Sequence, residues 1–236
     1  MTRMEVSRIA VPLALAAVIV LSFPHKQHAP QPVELAPGEA PVPSAAQTRA
    51  AYEEALSPGS PGHDRGVSSA PVTVVEFADF GCRYCASFAM QTYPALATEF
   101  VKTGRVRWKY VPFAIGMFPN GAAAAQAAEC AADQGKAAFD VMDGRLYERQ
   151  NEWAGARDPS GLFGSYAGAV GLDTARFASC YGGDDAASRV HASNELAERI
   201  GVRATPTFFI DGYRVEGALP LEQFRKVLLD ELRSTQ

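Results

Sequence analysis

The sequence of 236 residues has no run of more than two basic side chains, and its 22 Lys and Arg against 26 Asp and Glu leave a net charge of −4. Binding to a phosphate backbone needs clustered positive charge, so nucleic acid is excluded as a partner. Glycine and proline are modest at 20 and 16, and hydrophobic residues make up 47%, which rules out a low-complexity or disordered chain. Neither an internal repeat nor a dimerisation segment is visible, and the chain reads as a monomer. Metal ligands are also scarce. Three of the four histidines, His25, His28 and His63, lie upstream of the main folded region, and Cys130 and Cys180 stand at spacings that no zinc finger uses. No metal and no cofactor is expected.

What is present begins with export. Arg3 and Arg8 precede an uncharged apolar run from Ile9 to Phe23 that has no polar face, the layout of an n-region followed by an h-region. Small residues at Val20/Ser22 come very early for cleavage, and Gln27/Ala29 is followed by Pro30. Residues 1–23 therefore read as a signal peptide or, preferentially, as an N-terminal membrane anchor. The basic residues on the near side place the rest of the chain outside the cytoplasm. Prolines at 24, 30, 32, 37, 41 and 43 then make a stiff tether. Ser44 with Gln47 forms a possible capping box for a short helix ending near Leu56. On this reading 24–68 is a Pro/Ala/Gly-rich tether with one short helix, and the folded unit starts near Ser69 and runs to 236.

Within that unit, Val72 to Ala78 is a β-branched, apolar run typical of a strand buried on both faces. Cys82 to Lys102 places Phe88, Tyr93, Leu96 and Phe100 at helical spacing, with Pro94 as a kink. Arg105 to Val111 alternates as a second strand, completing a βαβ unit. Residues from about 113 to 200 are helical and read as an inserted layer. Thr207 to Ile210, the Asp211-Gly212 turn and Tyr213 to Glu216 form a hairpin, and Pro220 opens a final amphipathic helix. The class is α/β, in the order β-α-β, helices, β-β-α.

Three features carry chemistry. Cys82 and Cys85 form a CxxC pair at the turn from a buried strand into a helix, where backbone N–H groups and the helix dipole favour a thiolate. Cys82 is expected to be the exposed nucleophile and Cys85 the resolving thiol; an inert disulfide and a zinc site are the competing readings. Glu76 is a carboxylate inside an otherwise apolar strand, costly if buried and charged, so it is either a proton donor for Cys85 or turned to solvent. Thr205-Pro206 precedes a strand, and is either a cis bond beside the CxxC, exposing an edge for an extended peptide, or an ordinary trans proline. His191 and Glu195, one helical turn apart, read as a surface pair.

The segments VTVVEFADFGCRYC, the helix holding Cys130, and GVRATPTFFIDG together resemble the DsbA-like thiol-disulfide oxidoreductases of bacterial envelopes, over roughly Ala70 to Leu232. The resemblance implies a thioredoxin-like fold with an inserted helical subdomain, Cys82 as nucleophile, Cys85 as resolving cysteine, Glu76 as buried acid and Pro206 as a cis-proline preceded by Thr205. Substrate would be bound by Thr205, Pro206, Arg83 and Tyr84. Arg83-Tyr84 departs from the Pro or His that many relatives carry between the cysteines, so a redox potential does not transfer, although Arg83 is expected to favour the thiolate. The family also implies a second disulfide, Cys130 to Cys180, against the alternative of two separate buried thiols. The implied partners are exported cysteine-containing proteins and a membrane redox partner that resets the pair. The leading function is an oxidant; a reductase or isomerase of the same fold, and a binding module or chaperone with a permanent disulfide, are the alternatives.

Overall fold

The computed structural model describes residues 44–114 and 116–235. The apolar run, its cleavage or anchoring, and the tract of prolines up to 43 lie outside the described residues. Among the described residues no helix is long and apolar enough to cross a membrane.

Strand β2 (Val72–Ala78) lies at the centre of a five-stranded sheet because alternate residues serve two cores. Val72 and Val74 face one cluster with Trp108, Phe208 and Phe224, whereas Val75 and Phe77 face another with Tyr52, Leu196 and Phe209. With β1 (His63–Arg65), β3 (Val106–Pro112), β4 (Thr207–Ile210) and β5 (Tyr213–Glu216), the order is β1-β3-β2-β4-β5. β2 pairs parallel with β3, and the other neighbours are antiparallel. The α/β thioredoxin-like order read from the sequence is therefore the observed one.

The domain starts earlier than Ser69. Helix α1 (Ala45–Ala55) has the Ser44–Gln47 capping box and buries Ala51, Tyr52 and Ala55 in the core it shares with β2. Strand β1 pairs with β3 in the register His63↔Tyr110, Asp64↔Lys109 and Arg65↔Trp108. Three polar residues show no hydrophobic alternation, so this strand left no periodic signal. Backbone pairing and long-range ion pairs hold it instead, Asp64 with Arg107 and Arg65 with Asp140 and Asp143, each at 2.8 Å. Residues 44–68 thus belong to the folded unit rather than to a tether.

The helix after the CxxC runs through α2 (Arg83–Ser87), a π-helical turn at Phe88–Thr92, α3 (Tyr93–Leu96) and a second π turn at Ala97–Val101. Pro94 has no N–H to give the preceding turn and its ring crowds the carbonyl there, so the helix widens ahead of it. The inserted layer comprises α4 (Gly121–Ala132), α5 (Lys136–Glu148), α6 (Gln150–Trp153), α7 (Ser160–Ala169), α8 (Thr174–Tyr181) and α9 (Asp185–Arg199). Its alanine-rich α4 packs closely against α5 and α9, and Phe163, Tyr166 and Phe177 lie in its core. Helix α10 (Leu221–Ser234) covers the sheet through Phe224, Leu228 and Leu232. His191 and Glu195 form a 3.4 Å pair on the surface.

Candidate active site

Past Ala78 the chain turns through Asp79, Phe80 and Gly81 into α2, and buried polar groups set this turn. Asp79 Oδ1 accepts from the Gly81 N–H at 2.8 Å, and the Asp79 carbonyl accepts from the Cys82 N–H at 3.0 Å. From the inserted layer, the buried Gln150 donates through Nε2 to the carbonyls of Phe80, at 2.5 Å, and Cys82, at 3.1 Å. A side chain at Gly121 would collide with Asp79 Oδ1, so α4 can approach this closely only through glycine.

Cys82 is the N-cap of α2, with extended backbone. Its Sγ donates to the carbonyl of Thr205 at 3.4 Å, and the Thr205-Pro206 bond is cis. The reduced thiol is not exposed as the sequence led us to expect: Cys82 retains only 1% of its accessible surface. The loop carrying Thr205 comes from 123 positions away in the chain and covers the sulfur, a contact that local sequence does not encode. Cys85, one turn on, is fully buried.

The two thiols have opposite acid strengths. Hydrogen bonding from the Cys85 thiol, followed by that from Thr205 and from the backbone N–H groups of Cys85 and Tyr84, outweighs burial and lowers Cys82 to about 6. The buried Thr205 hydroxyl has no hydrogen-bond partner among the described residues and is available to the ionised sulfur. Cys85 is raised well above the ordinary thiol range, first by burial and then by the neighbouring Cys82. At neutral pH the pair thus consists of a thiolate at the helix N-terminus and a thiol behind it.

Glu76 keeps 3% of its surface and lies on the face of β2 that carries Val72 and Val74. Trp108 Nε1 donates to its Oε2 at 2.8 Å. Burial raises its pKa to about 7 even though Trp108 and Arg65 act in the other direction. Its charge also contributes to the raised pKa of Cys85, which places the carboxyl within electrostatic reach of that thiol. The solvent-facing alternative for Glu76 does not describe this structure.

Arg83 and Tyr84 are both exposed, Tyr84 with 71% of its surface free. The groups that most favour the Cys82 thiolate are the hydrogen-bond donors named above. Cys130 and Cys180 form a disulfide, with Cα atoms 5.6 Å apart, that ties α4 to α8. Sequence reading passed over Asp79, Gln150, Arg65 and Asp143. The only local sign was Asp79, an acid at a strand end just before a glycine; the others reach the site from distant elements.

Residues 60–230 match the family model described as Thioredoxin. The chain is 35% identical over 176 residues to a protein of Salinispora tropica named Na(+)/H(+) antiporter NhaA 3; the match covers 74% of this chain but only 25% of that protein, so the chain spans about a quarter of the length of that relative. It is 24% identical over 178 residues to disulfide bond formation protein D of Bacillus subtilis, covering 71% of this chain and 76% of that one. Among solved structures it is similar to oxidised BdbD from Bacillus subtilis, with a TM-score of 0.65 at 24% identity over 74% of this chain and 97% of the other. Wolbachia pipientis alpha-DsbA1 superposes with a TM-score of 0.66 at 19% identity, covering 76% and 94%. With the CxxC at the start of α2, the cis Thr205-Pro206 beside it and an inserted helical layer, the chain belongs to the thioredoxin family and has the DsbA-like form of its fold.

Proposed function

We propose that the protein is a thiol-disulfide oxidoreductase that oxidises exported proteins through Cys82 and Cys85. The observation that carries this reading is the unequal pair: a Cys82 thiol lowered to about 6 at a helix N-terminus, beside a Cys85 thiol raised by burial. A substrate thiolate attacks Cys82 Sγ of the disulfide, a bond forms between the two sulfurs, and Cys85 leaves. Cys85 leaves as a thiolate with a high proton affinity, so it takes the proton held by Glu76. The second substrate thiolate then attacks the substrate sulfur of the mixed disulfide, forming the product disulfide and releasing Cys82 as its stable thiolate. Stabilisation of that thiolate favours the reduced enzyme and thus makes the disulfide oxidising.

Thr205, whose carbonyl accepts from Cys82 Sγ, would contact the substrate chain together with Pro206, Arg83 and Tyr84. A membrane redox partner would reoxidise the pair, and residues 1–23 would hold the domain outside the cytoplasm as an anchor or deliver it there as a signal. Trapping tests the assignment. Cys85→Ser should accumulate mixed disulfides with exported cysteine-containing proteins, seen as reducible high-mass bands, and Cys82→Ser almost none. Equal trapping by both variants would reverse the nucleophile, and no trapping by either, in folded protein, would favour a binding module. Direction is read from equilibrium with glutathione: an oxidant is readily reduced, whereas a pair that stays oxidised is a reductase, and each tenfold in the ratio is about 30 mV.

A further inference from the structure

Glu76 and Asp143 both line a cavity of about 40 Å³, together with Arg65, Tyr110, Tyr147 and the small side chain of Ala89. Its surface is largely apolar, but the Glu76 and Asp143 carboxyls both border it and its size suits one water molecule. Asp143 is the only group of this wall with a buried oxygen that finds no partner among the described residues: Oδ1 has no hydrogen bond, while Oδ2 accepts from Arg65 Nη2 at 2.8 Å. Arg65 also donates through Nε to Asp140 Oδ1 at 2.8 Å. Asp140 is one turn from Asp143 on α5, its side chain 38% exposed and in contact with Lys136 at 3.3 Å. One arginine therefore links a carboxylate at the cavity wall to one at the protein surface.

We propose that Asp143, acting through a water in this cavity, returns to Glu76 the proton that Glu76 gives to Cys85. This rests on the role given to Glu76 above. When Cys85 leaves as a thiolate it takes the Glu76 proton. The water then gives a proton to Glu76 and receives one from Asp143, and solvent restores Asp143. The reverse sequence carries a proton out when Cys85 attacks. Glu76 alone would be left ionised after each transfer in a site whose burial disfavours its charge.

The groups facing Asp143 are Arg65 and His63 from β1, Glu76 from β2, Tyr110 from β3, Tyr93 from α3, and Asp140 and Tyr147 from α5 itself. Burial raises its pKa, Asp140 adds to this, and Arg65 and His63 oppose it, so both carboxyls of the cavity are held more basic than in water.

Reduction of the full-length oxidised protein by glutathione, sampled by rapid quench and alkylation from pH 5 to 9, tests the proposal in Glu76→Gln, Asp143→Asn, Ala89→Val and Glu76→Gln/Asp143→Asn. Ala89→Val fills the cavity while leaving the Arg65–Asp143 pair intact, and so decides the matter if Asp143→Asn does not fold. Asp143→Asn and Ala89→Val should each slow the reaction about tenfold at pH 7 and flatten its step near that pH, less than the roughly 10²–10⁴-fold of a donor that acts on the reacting atom itself. The double variant should be no slower than Glu76→Gln. Unchanged rate and pH profile in Asp143→Asn and Ala89→Val, with Glu76→Gln slow, would overturn the relay alone. Multiplying losses in the double variant would overturn it too. A wild-type profile for Glu76→Gln would remove the role of Glu76 and the relay with it.

Discussion

At the scale of single residues, the unequal acidity of the two cysteines comes from hydrogen bonds at Cys82 and burial at Cys85 more than from charged neighbours. The Cys85 thiol is the leading donor to Cys82, so Cys85→Ala and Cys85→Ser should differ. The alanine variant removes the donor and should move the Cys82 titration from about 6 toward the ordinary thiol value of roughly 8.5, whereas serine retains a hydroxyl and should hold it lower. Iodoacetamide alkylation against pH reads both. Thr205→Val should also raise it, by removing a hydroxyl that has no other partner among the described residues. Linkage adds a stability test. A depressed pKa contributes stability fully above the unfolded thiol value, and that stability is lost as pH falls through about 6. Glu76 has the opposite sign: its raised pKa means stability is lost as pH rises through about 7. In a Glu76→Gln background the melting temperature of the reduced form, relative to the oxidised form, should therefore fall between pH 8.5 and 6; a difference independent of pH would contradict the low Cys82 pKa.

At the scale of elements, the active-site turn is a junction between the sheet and the inserted helical layer. Gln150→Ala leaves the buried carbonyls of Phe80 and Cys82 without their side-chain donor, and should cost about 1–3 kcal/mol in a urea melt. Gly121→Ala forces a methyl group against Asp79 and should cost a similar amount, about 1–3 kcal/mol, from overpacking. Both variants should also weaken the low pKa of Cys82, since they loosen the N-terminus of α2; a loss of stability with Cys82 unchanged would make the junction purely structural. Elements differed in how readable they were. β2 and α10 have long apolar patterns and were legible, as was the capping box of α1. β1 was not, because three polar residues carry no periodicity and its pairing partner begins more than 40 positions later. The two π turns were hidden as well, since they keep the apolar spacing of a helix and change only its hydrogen bonding.

At the scale of the whole molecule, the second disulfide joins positions 50 apart and closes much of the inserted layer into one loop. The chain-entropy account assigns about 4 kcal/mol to such a loop. Cys130→Ala/Cys180→Ala should lower unfolding free energy by about 2–5 kcal/mol while the Cys82–Cys85 equilibrium with glutathione shifts little. Under mild reduction of the native protein, alkylation should reach Cys82 and Cys85 before Cys130 and Cys180. Simultaneous labelling of all four thiols would contradict that order.

Short-range pattern was enough to reveal the CxxC at a strand-to-helix turn, the acid in the middle of β2 and the order of the main elements, because each depends on neighbours a few positions apart. Tertiary structure alone decided that Thr205 covers Cys82, that Arg65 meets Asp143 across 78 positions, and that Gln150 holds the turn from 70 positions away. Those contacts join polar residues that look like ordinary surface side chains along the chain. Only folding removes water from around them; that desolvation raises the proton affinity of a glutamate, an aspartate and the Cys85 thiol, while hydrogen bonds lower that of Cys82.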